Sequence, residues 1–337
     1  MKGNQMKLAV IGAGIAGLTC AKEAMSAGHE VTLFDKGRGP GGRCSTRRMP
    51  GKEGEIRFDH GAIGFRPQSS EFAELTENWV EAGLVKPWQA RIGQLNSAGL
   101  IEAADDAEAL YYVGLPGMNG LIKGLASELD CHFGIRIHEI RQNGDGWVLT
   151  FEDDTPDFAC DGVICSAPAE QTAILLDGIA PELATQAQHV ESSPCWTAML
   201  SFSAPVPVEF DLIHMDGRPF SRLVRNSAKP ERGGAEAWVL QASSEWSEDH
   251  VDWSTDDVLT ELVSAFAAAT DCSETPDIAT AHRWLYATPK AGVGVPASWE
   301  PDLKIGTCGD WHIGGAIENA WLSGRVLGER LKTVSSG

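Results

Sequence analysis

Residues 7–17, KLAVIGAGIAG, decide the fold of this chain. The first five of these residues have the composition of a buried parallel strand, and the pattern Gly12-x-Gly14-x-x-Gly17 follows. Residues 18–27 then have the composition of a helix. Gly12 allows a tight turn, Gly14 lets a pyrophosphate approach the helix N-terminus, and Gly17 lets helix and strand pack closely. The stretch therefore predicts the start of a nucleotide-binding α/β domain.

An acidic residue follows at the position where a ribose would bind. Residues 29–34 predict a second strand, and this strand ends at Asp35, about 20 residues after Gly17. A carboxylate at this point is placed to accept hydrogen bonds from ribose hydroxyls. The pattern is shared by domains that bind NAD and domains that bind FAD, so it does not separate the two cofactors.

The loop after Asp35 favours FAD. Residues 36–43, KGRGPGGR, combine cations with glycines that permit positive φ. This segment resembles the Gly-Gly-Arg segment of the glutathione-reductase-type FAD fold, which the amine oxidase superfamily shares. The resemblance implies that Arg43 reaches the cofactor phosphates and that the glycine backbone lies beside the flavin. Residues 58–62, FDHGA, are similar to the D-x-G-A turn that precedes the flavin in this superfamily.

A second motif with the features of an anion site lies near the C-terminus. Residues 303–307 predict a strand, which leads through Gly309 and Asp310 to a glycine pair at 314–315 and a helix over 321–331. A helix N-terminus preceded by glycines favours a negatively charged group. The resemblance implies that Asp310 binds the ribityl or pyrophosphate region and that the helix start faces the flavin. We therefore expect FAD to be held from both ends of the sequence.

These motifs, and for Ile137 the superfamily resemblance alone, which implies that its main chain meets the adenine, give the residues that we expect to bind the cofactor. They are Gly12, Gly14, Ile15, Ala16, Gly17, Asp35, Lys36, Gly42, Arg43, Gly61, Ala62, Ile137, Gly309, Asp310, Gly315 and Ile317.

The middle of the chain predicts a discontinuous arrangement of two domains. Strand patterns around the Asn143–Gly146 turn predict a three-stranded meander inserted between parallel strands, and a helix is predicted over 256–270. The predicted fold class is α/β: a glutathione-reductase-type, Rossmann-like FAD-binding domain with a smaller α+β substrate domain of the amine oxidase type. We expect residues 1–69, 106–169 and 288–332 in the first domain, 70–105 and 170–287 in the second, and a disordered tail over 333–337.

Composition and charge narrow the function classes. The 337 residues carry a formal net charge of −20, which disfavours nucleic acid and anionic membranes as partners. The eight cysteines are scattered without a CxxC pair, which favours free thiols in a reducing cytoplasm. No apolar run reaches the roughly 18 residues needed to span a bilayer, and the histidines lack metal-ligand spacing. We expect a cytoplasmic monomer or weak homodimer without a metal, acting on a small molecule and O2.

Taken together, the motifs resemble the renalase family over nearly the whole chain. Renalases are FAD enzymes of the amine oxidase superfamily, and the resemblance implies non-covalent FAD. It also implies oxidation of the 2- and 6-dihydro isomers of NAD(P), with O2 reoxidising the flavin and yielding hydrogen peroxide. The matching stretches are GAGIAGL (12–18), FDKGRGPGGR (34–43), FDHGA (58–62), RNSAKPE (225–231), AHRWLYA (281–287) and GDW (309–311) with its following glycine pair.

Three residues, at two places in the chain, depart from the family pattern. Ile63 and Gly64 stand where the family carries a glutamine and an aromatic residue after D-x-G-A, and Ala316 stands where it carries an arginine. These positions are expected near the flavin, so the substrate can differ from that of the family. The residues that we expect around the substrate are Ile63, Phe65, Arg225, Asn226, His282, Trp284, Tyr286 and Trp311.

Hydride transfer from a dihydropyridine requires no general base, and the sequence indicates none. Amine oxidation, the alternative within the superfamily, often uses a lysine-bound water, for which Lys229 and Lys290 are candidates by location. Lysines are more often on the surface, and we predict both there. Each aromatic wall residue can equally be a core residue, and His282 with Arg283 can hold either an anion or a structural partner. A third class is a flavoprotein that binds FAD without catalysis.

Overall fold

The computed structural model describes residues 5–52, 54–96, 100–215, 217 and 219–334. The strands that it contains are, in chain order, β1 (Lys7–Ile11), β2 (Glu30–Asp35), β3 (Thr46–Gly51), β4 (Gly54–Asp59), β5 (Val85–Leu95), β6 (Ile101–Gly114), β7 (Asp130–Phe133), β8 (Ile137–Asn143), β9 (Gly146–Phe151), β10 (Phe158–Cys160), β11 (Gly162–Cys165), β12 (Ser192–Phe202), β13 (Leu212–Met215), β14 (Phe220–Arg225), β15 (Glu236–Ala242), β16 (Ile278–Pro289), β17 (Ser298–Glu300) and β18 (Ile305–Thr307). The helices are α1 (Ile15–Ser26), α2 (Ser70–Glu81), α3 (Met118–Ala126), α4 (Ala169–Leu176), α5 (Pro181–Gln188), α6 (Ser244–Asp249), α7 (Thr255–Thr270) and α8 (Ile317–Val334).

The chain folds into two compact units, each built from separate stretches of sequence. The first unit comprises Met1–Gly42, Ile122–Ser192 and Thr288–Gly337, and the second comprises Arg43–Leu121 and Ser193–Ala287. No helix within the described residues combines the length and the apolar character that crossing a membrane requires.

The first unit contains a six-stranded sheet, counted over the described residues, in the order β17-β18-β11-β1-β2-β7. Its strands run parallel except that β17 is antiparallel to β18. Because β1 lies between β2 and β11, the chain leaves β1 at the point where neighbouring connections diverge, which is where open α/β sheets bind their ligands. The structure thus confirms the predicted α/β class and the βαβ start of the domain.

The predicted meander is also present in the first unit. Strands β8, β9 and β10 form an antiparallel sheet, and its apolar face packs against the main sheet. Phe34 of β2 lies with its ring 5.1 Å from that of Phe151 and 5.0 Å from that of Phe158. Burial of these rings removes a large apolar area from water and joins the two sheets into one core.

The second unit is built on a seven-stranded sheet, in the order β16-β12-β15-β14-β13-β5-β6 over the described residues. Helix α7 contributes Phe266 to the core beside Trp238, with ring centroids 5.4 Å apart. The helix begins where the sequence predicts, because the Ser254 hydroxyl accepts the backbone N–H of Asp257 as an N-cap. A two-stranded sheet, β3 with β4, completes the unit.

The boundaries of the two units differ from the predicted domain boundaries. Residues 43–69 and 106–121 fall in the second unit, and 170–192 fall in the first. The reason for the middle difference is that β6 pairs along β5 from Val85 to Leu95, so a cut at 105 would split one strand. Of the predicted tail 333–337, the first two residues continue α8, and 335–337 lie outside the described residues.

Candidate cofactor and active site

The glycine-rich turn after β1 has the local geometry that its sequence predicts. Gly12 has a φ of 105°, a value that L side chains rarely adopt. A Cβ added to Gly17 would lie 2.1 Å from the Gly12 carbonyl oxygen and 2.5 Å from the Ser166 hydroxyl, so α1 packs on the turn without room for a side chain. A Cβ at Gly14, the N-cap of α1, would meet no atom within 4 Å. The N-terminus of α1 is therefore open to an approaching phosphate group.

Asp35 lies at the end of β2 and connects the glycine-rich turn after β1 to the loop after β2 by hydrogen bonds. Its Oδ2 accepts the Ala13 backbone N–H at 2.8 Å, and its Oδ1 accepts that of Gly37 at 2.6 Å. Each carboxylate oxygen can accept a further hydrogen bond, which leaves capacity for a ribose hydroxyl. Beside it, burial and the charge of Arg136 lower the pKa of Lys36, although Asp35 acts in the opposite direction. A negatively charged ligand would favour the charged form of Lys36 and so raise its pKa against burial and Arg136.

At the C-terminal end of the first unit, a tight loop precedes α8. Gly314 has a φ of 119°, and its carbonyl oxygen accepts the Asn319 side-chain amide at 2.9 Å. A Cβ on Gly315 would lie 2.7 Å from the Thr288 methyl group, yet Gly315 and Ala316 are exposed to solvent. An exposed N-terminus on a helix of this length favours a negatively charged group.

Trp311, which follows the buried Asp310, packs inside the first unit. Its side chain is 2% exposed, stacks on His312 with ring centroids 4.0 Å apart, and donates its indole N–H to the Ala167 carbonyl at 3.1 Å. Burial lowers the pKa of His312 to about 4, although the Val295 carbonyl acts in the opposite direction. These contacts give Trp311 a place in the core, and its role as a substrate wall stays a prediction.

In the second unit, a buried charge cluster surrounds Asp59 at the end of β4. Oδ1 of Asp59 accepts the Thr46 hydroxyl at 2.7 Å and the Met118 backbone N–H at 2.9 Å. Oδ2 accepts Lys229 Nζ at 3.2 Å and Nε and Nη2 of Arg232 at 3.1 and 2.8 Å. The three charged side chains are all 0% exposed. The cluster thus encloses one carboxylate with two cations.

This enclosure perturbs the ionisation of its members. Burial by itself would raise the pKa of Asp59, but Lys229 and Arg232 outweigh that effect and the pKa is lowered. Burial is the largest influence on Lys229 and, with Arg232, lowers its pKa to about 8 against the attraction of Asp59. The sequence-based prediction of a surface lysine is wrong for Lys229, whereas Lys290 is exposed as predicted.

Asn226 extends the cluster into the β4 backbone. Its side-chain oxygen accepts Lys229 Nζ at 3.0 Å and the Asp59 backbone N–H at 3.3 Å, and its amide donates to the Arg57 carbonyl at 2.6 Å. With every polar atom of a fully buried side chain engaged in this way, Asn226 fixes the end of β4 in position.

The residue after Asp59 is the centre of an aromatic group. The His60 ring stacks on Trp284 with centroids 5.1 Å apart, and the His282 ring meets both edge-on, at 5.1 Å from His60 and 4.5 Å from Trp284. The Trp284 indole N–H donates to the His60 carbonyl at 2.9 Å. A Cβ on Gly61 would lie 2.0 Å from the Arg43 carbonyl oxygen, so only glycine fits in this turn. Trp284 and His282, both predicted near the substrate, are thereby placed on the 59–61 turn.

Burial lowers the pKa of His60 to about 4, and a proton on His282 and the charge of Arg47 act in the same direction, whereas the Phe58 backbone and Asp59 act against them. The pKa of His282 is also lowered, by burial and by Arg47. Both rings are therefore neutral at neutral pH. Nδ1 of His60 is buried and has no hydrogen-bond partner among the described residues. A buried polar atom without a partner is rare in proteins and marks this position as a candidate ligand contact.

The other predicted pocket residues have varied surroundings in the second unit. Ile63 is buried, and Phe65 packs against Phe72 with ring centroids 5.7 Å apart. Arg225 pairs with Glu236 at 3.0 Å and donates to the carbonyls of Val206 and Val208, which lie between β12 and β13. These contacts explain the residues structurally, and their roles at a substrate, like that of the half-buried Tyr286, stay predictions.

The sequence motifs included two members of the Asp59 cluster but did not show that these residues meet. Asp59 belongs to the quoted D-x-G-A turn, and Lys229 belongs to the quoted stretch 225–231. Their sequence separation of 170 residues hides the ion pair, and Arg232 lies just outside the quoted stretch. Arg47 of β3 was missed altogether, because an exposed arginine in a short strand carries no motif.

Comparison with known proteins agrees with this geometry. Residues 10–79 match the model of the NAD(P)-binding Rossmann-like domain, and residues 96–326 match that of the flavin containing amine oxidoreductases. The chain belongs to the flavin containing amine oxidoreductase family. It is therefore an FAD-dependent oxidoreductase of the amine oxidase and desaturase superfamily, and its cofactor is FAD.

Solved structures of a putrescine oxidase variant and a cyclohexylamine oxidase share the fold across almost the whole chain. A putrescine oxidase variant superposes with a TM-score of 0.74 at 14% sequence identity, covering 98% of this chain and 99% of that one. The cyclohexylamine oxidase of Brevibacterium oxydans gives a TM-score of 0.73 at 11% identity, covering 98% and 99%. At such identities the likeness concerns the fold alone.

A local sequence match extends the comparison to a desaturase. The 4,4'-diapophytoene desaturase of Staphylococcus aureus is 50% identical over 56 residues, which are 17% of this chain and 10% of that protein. The match therefore spans only a tenth of the relative's length.

The described residues of the first unit fit FAD on their own geometry. The cradle at Gly14 is open, Asp35 retains acceptor capacity, and the start of α8 is exposed. An elongated dinucleotide with a central pyrophosphate matches two helix N-termini and a ribose-binding acid.

Proposed function

We propose that this oxidoreductase takes a hydride from a 2- or 6-dihydro isomer of NAD(P), or from a similar small ring, in a renalase-like reaction. The electrons then pass to O2 and yield hydrogen peroxide. One observation carries the proposal: three stretches of the renalase resemblance converge on the 59–61 turn. Residues 225–231 reach it through Lys229 and Asn226, and residues 281–287 reach it through Trp284.

This convergence matters because the three stretches are far apart in sequence. The bond between Trp284 and His60 joins positions 224 residues apart, and the bond between Lys229 and Asp59 joins positions 170 residues apart. Residues 225–231 and 281–287 resemble the renalase family more specifically than the superfamily turn at 58–62 does, and their assembly on that turn supports a shared role for the cluster.

The arrangement also suits a donor that releases no proton. When bound, FAD accepts the hydride at the flavin N5 and passes electrons to O2. The chain would contribute position and shielding: Trp284 and His60 provide a flat wall, and the Asp59 cluster keeps the turn beneath them rigid. Lys229 is held by Asp59 and Asn226, and Lys290 lies 3.9 Å from Glu191, so neither is placed as the lysine of an amine oxidase.

The second candidate is amine oxidation or desaturation, which the family match over residues 96–326 favours. Neutral imidazoles of His60 and His282 beside Trp284 would suit a neutral amine as well as a ring. We further propose that the FAD is not covalently attached, that the cofactor residues are those named from the motifs, and that the protein acts as a monomer or weak homodimer.

Anaerobic reduction separates these functions. Purified holoenzyme is mixed without oxygen with 2- and 6-dihydro-NAD(P), with the ordinary 4-dihydro isomers, and with a panel of amines, and the flavin absorbance near about 450 nm is followed. We expect rapid bleaching by the 2- or 6-dihydro isomers only. Bleaching by amines alone would replace the first function by the second, and no bleaching by any donor would leave a non-catalytic flavoprotein.

A pair of variants connects the reaction to the turn. Trp284→Leu removes the wall that stacks on His60, and we expect reduction to slow by about tenfold or more through lost positioning. Trp253→Leu is the matched control, because Trp253 is an exposed indole that meets His250 edge-on instead. Equal rates for the two variants would contradict the assignment. Acid precipitation that left flavin on the protein would contradict non-covalent binding.

A further inference from the structure

The charged side chains around the aromatic group of the second unit include more cations than anions. The carboxylate of Asp59 is already shared by Lys229 and Arg232, so it cannot neutralise a third cation nearby. Arg47 of β3 is exposed, makes no ion pair among the described residues, and acts electrostatically on both His60 and His282. A positive region of this kind is conspicuous in a chain with a net charge of −20.

The polar atoms in this region are arranged for a ligand rather than for one another. Nδ1 of His60 is buried without a partner, and the His60 side chain is only 6% exposed. The His282 ring lies edge-on to it at 5.1 Å, which leaves the two imidazoles in contact but without a hydrogen bond between them. Trp284 closes one side of the group by stacking on His60. The unsatisfied atom therefore belongs to a ring with an aromatic wall and a second imidazole beside it, and the charge of Arg47 acts on that ring.

We propose that Arg47, His60 and His282 bind an anionic group of the donor substrate, a phosphate or a carboxylate. The inference rests on the proposed function, and it assigns the part of the donor that is remote from the reacting ring. An anion would accept a hydrogen bond from the Nδ1–H tautomer of His60 and would pair with the Arg47 guanidinium. It would also favour the protonated form of each imidazole, against the opposing effects of burial and of the Arg47 charge.

The chemistry of the anion favours phosphate for a dihydronicotinamide donor. A nicotinamide mononucleotide differs from its riboside only by one phosphate, so the pair tests the site without changing the ring. An arginine with two imidazoles presents several donors to the non-bridging oxygens of a phosphate. Binding energy from such a remote group is used to position the ring.

The first arm of the test measures anion binding directly on the FAD-loaded enzyme. Inorganic phosphate is titrated into protein labelled with 15N-histidine, and the imidazole signals are followed by NMR. We expect the signals of His60 and His282 to shift together and the pKa of His60 to rise. Arg47→Met should weaken phosphate binding by about tenfold, and Arg48→Met, which alters the neighbouring exposed arginine of β3, by less than about twofold.

The second arm separates a free anion from the phosphate of the substrate. Reduction of the flavin is measured with the dihydro mononucleotide and with the dihydro riboside. We expect Arg47→Met to raise KM for the mononucleotide about tenfold and to leave KM for the riboside unchanged. Equal effects on both donors would overturn the assignment to the donor's phosphate.

The outcomes distinguish this inference from the proposed function. Histidine signals that do not respond to phosphate, or equal effects of Arg47→Met and Arg48→Met, would overturn the anion site. If no dihydro donor reduces the flavin while phosphate still binds through Arg47, the proposed function fails and the anion site stands. His282→Asn provides a second variant, for which we expect weaker phosphate binding in the same direction.

Discussion

The Asp59 cluster predicts a strong asymmetry between two substitutions that each remove one buried charge. Asp59→Asn leaves Lys229 and Arg232 in the interior without a counter-ion, whereas Lys229→Met leaves a neutral Asp59–Arg232 pair. The Asn amide would also direct N–H donors toward groups that are themselves donors. The loss of stability should therefore be much larger when the carboxylate is removed.

The magnitudes follow from the contacts. Asp59→Asn removes the acceptor of the hydrogen bonds from Lys229 and Arg232, all within a region of 0% exposure. Breaking a buried pair by removal of one partner costs about 3–5 kcal/mol in free energy of unfolding. Lys229→Met keeps the bonds from Arg232 and replaces an ammonium by an apolar group of similar length, so we expect a change of less than about 1.5 kcal/mol.

The double variant Asp59→Asn/Lys229→Met gives the sharpest test. One buried cation instead of two then lacks a counter-ion, so the second substitution should recover at least about 1 kcal/mol of the loss caused by the first. Stability is measured by urea denaturation at neutral pH with FAD in excess, followed by tryptophan fluorescence and by flavin release. Lys86→Met is the control, since it removes an exposed pair with Glu231 at 2.9 Å and should change stability by less than about 1 kcal/mol.

Two results would refute the charge reasoning. One is an equal loss for Asp59→Asn and Lys229→Met, and the other is a double variant whose loss is the simple addition of both. Because Lys229 is held by Asp59 and Asn226 in the interior, we also expect Lys229→Met to retain the rate of flavin reduction. A rate that collapsed while the fold persisted would give this lysine a chemical role.

The remaining predictions concern the first unit. Gly17→Ala should prevent stable FAD binding, because its Cβ would lie 2.1 Å from the Gly12 carbonyl oxygen. A Cβ at Gly14 has open space, so Gly14→Ala should fold normally and weaken only FAD binding. Equal thermal stability of the two apoproteins would contradict this difference. Asp35→Ala removes the acceptor of the Ala13 and Gly37 backbone N–H groups. We expect the Kd for FAD to rise by about tenfold or more in a fluorescence titration, and an unchanged Kd would contradict the predicted role of Asp35. The pKa of His312 is about 4 in the folded protein and lies below its value in the unfolded chain, so the unfolded state binds the proton first as the pH falls. Stability is therefore lost between about pH 6.5 and pH 4. In denaturant titrations, His312→Gln should lose about 2 kcal/mol less free energy of unfolding than the native chain between about pH 7 and pH 5, and parallel pH profiles would refute this prediction.

The sequence by itself determined the features that depend on neighbouring residues. The turn at Gly12, the close packing at Gly17 and the acid at the end of β2 all lie within one βαβ unit, so their spacing is set by helix and strand geometry alone. The same holds for the meander, for the helix predicted over 256–270 and for the helix after the glycine pair at 314–315. Such local rules identified the α/β class and a nucleotide site without any long-range contact, and the resemblance of residues 36–43 to the FAD fold favoured FAD.

Only the tertiary structure decided which distant residues meet at the 59–61 turn. The sequence predicted Lys229 at the surface because most lysines are there, but folding brings it to Asp59, where pairing compensates for burial. The strands around Arg47 and the long strand β6 also escaped prediction, because their pairing depends on partners far along the chain. Pairing between distant strands, and the charges that it encloses, are decided by the packed fold as a whole, and no local pattern encodes them.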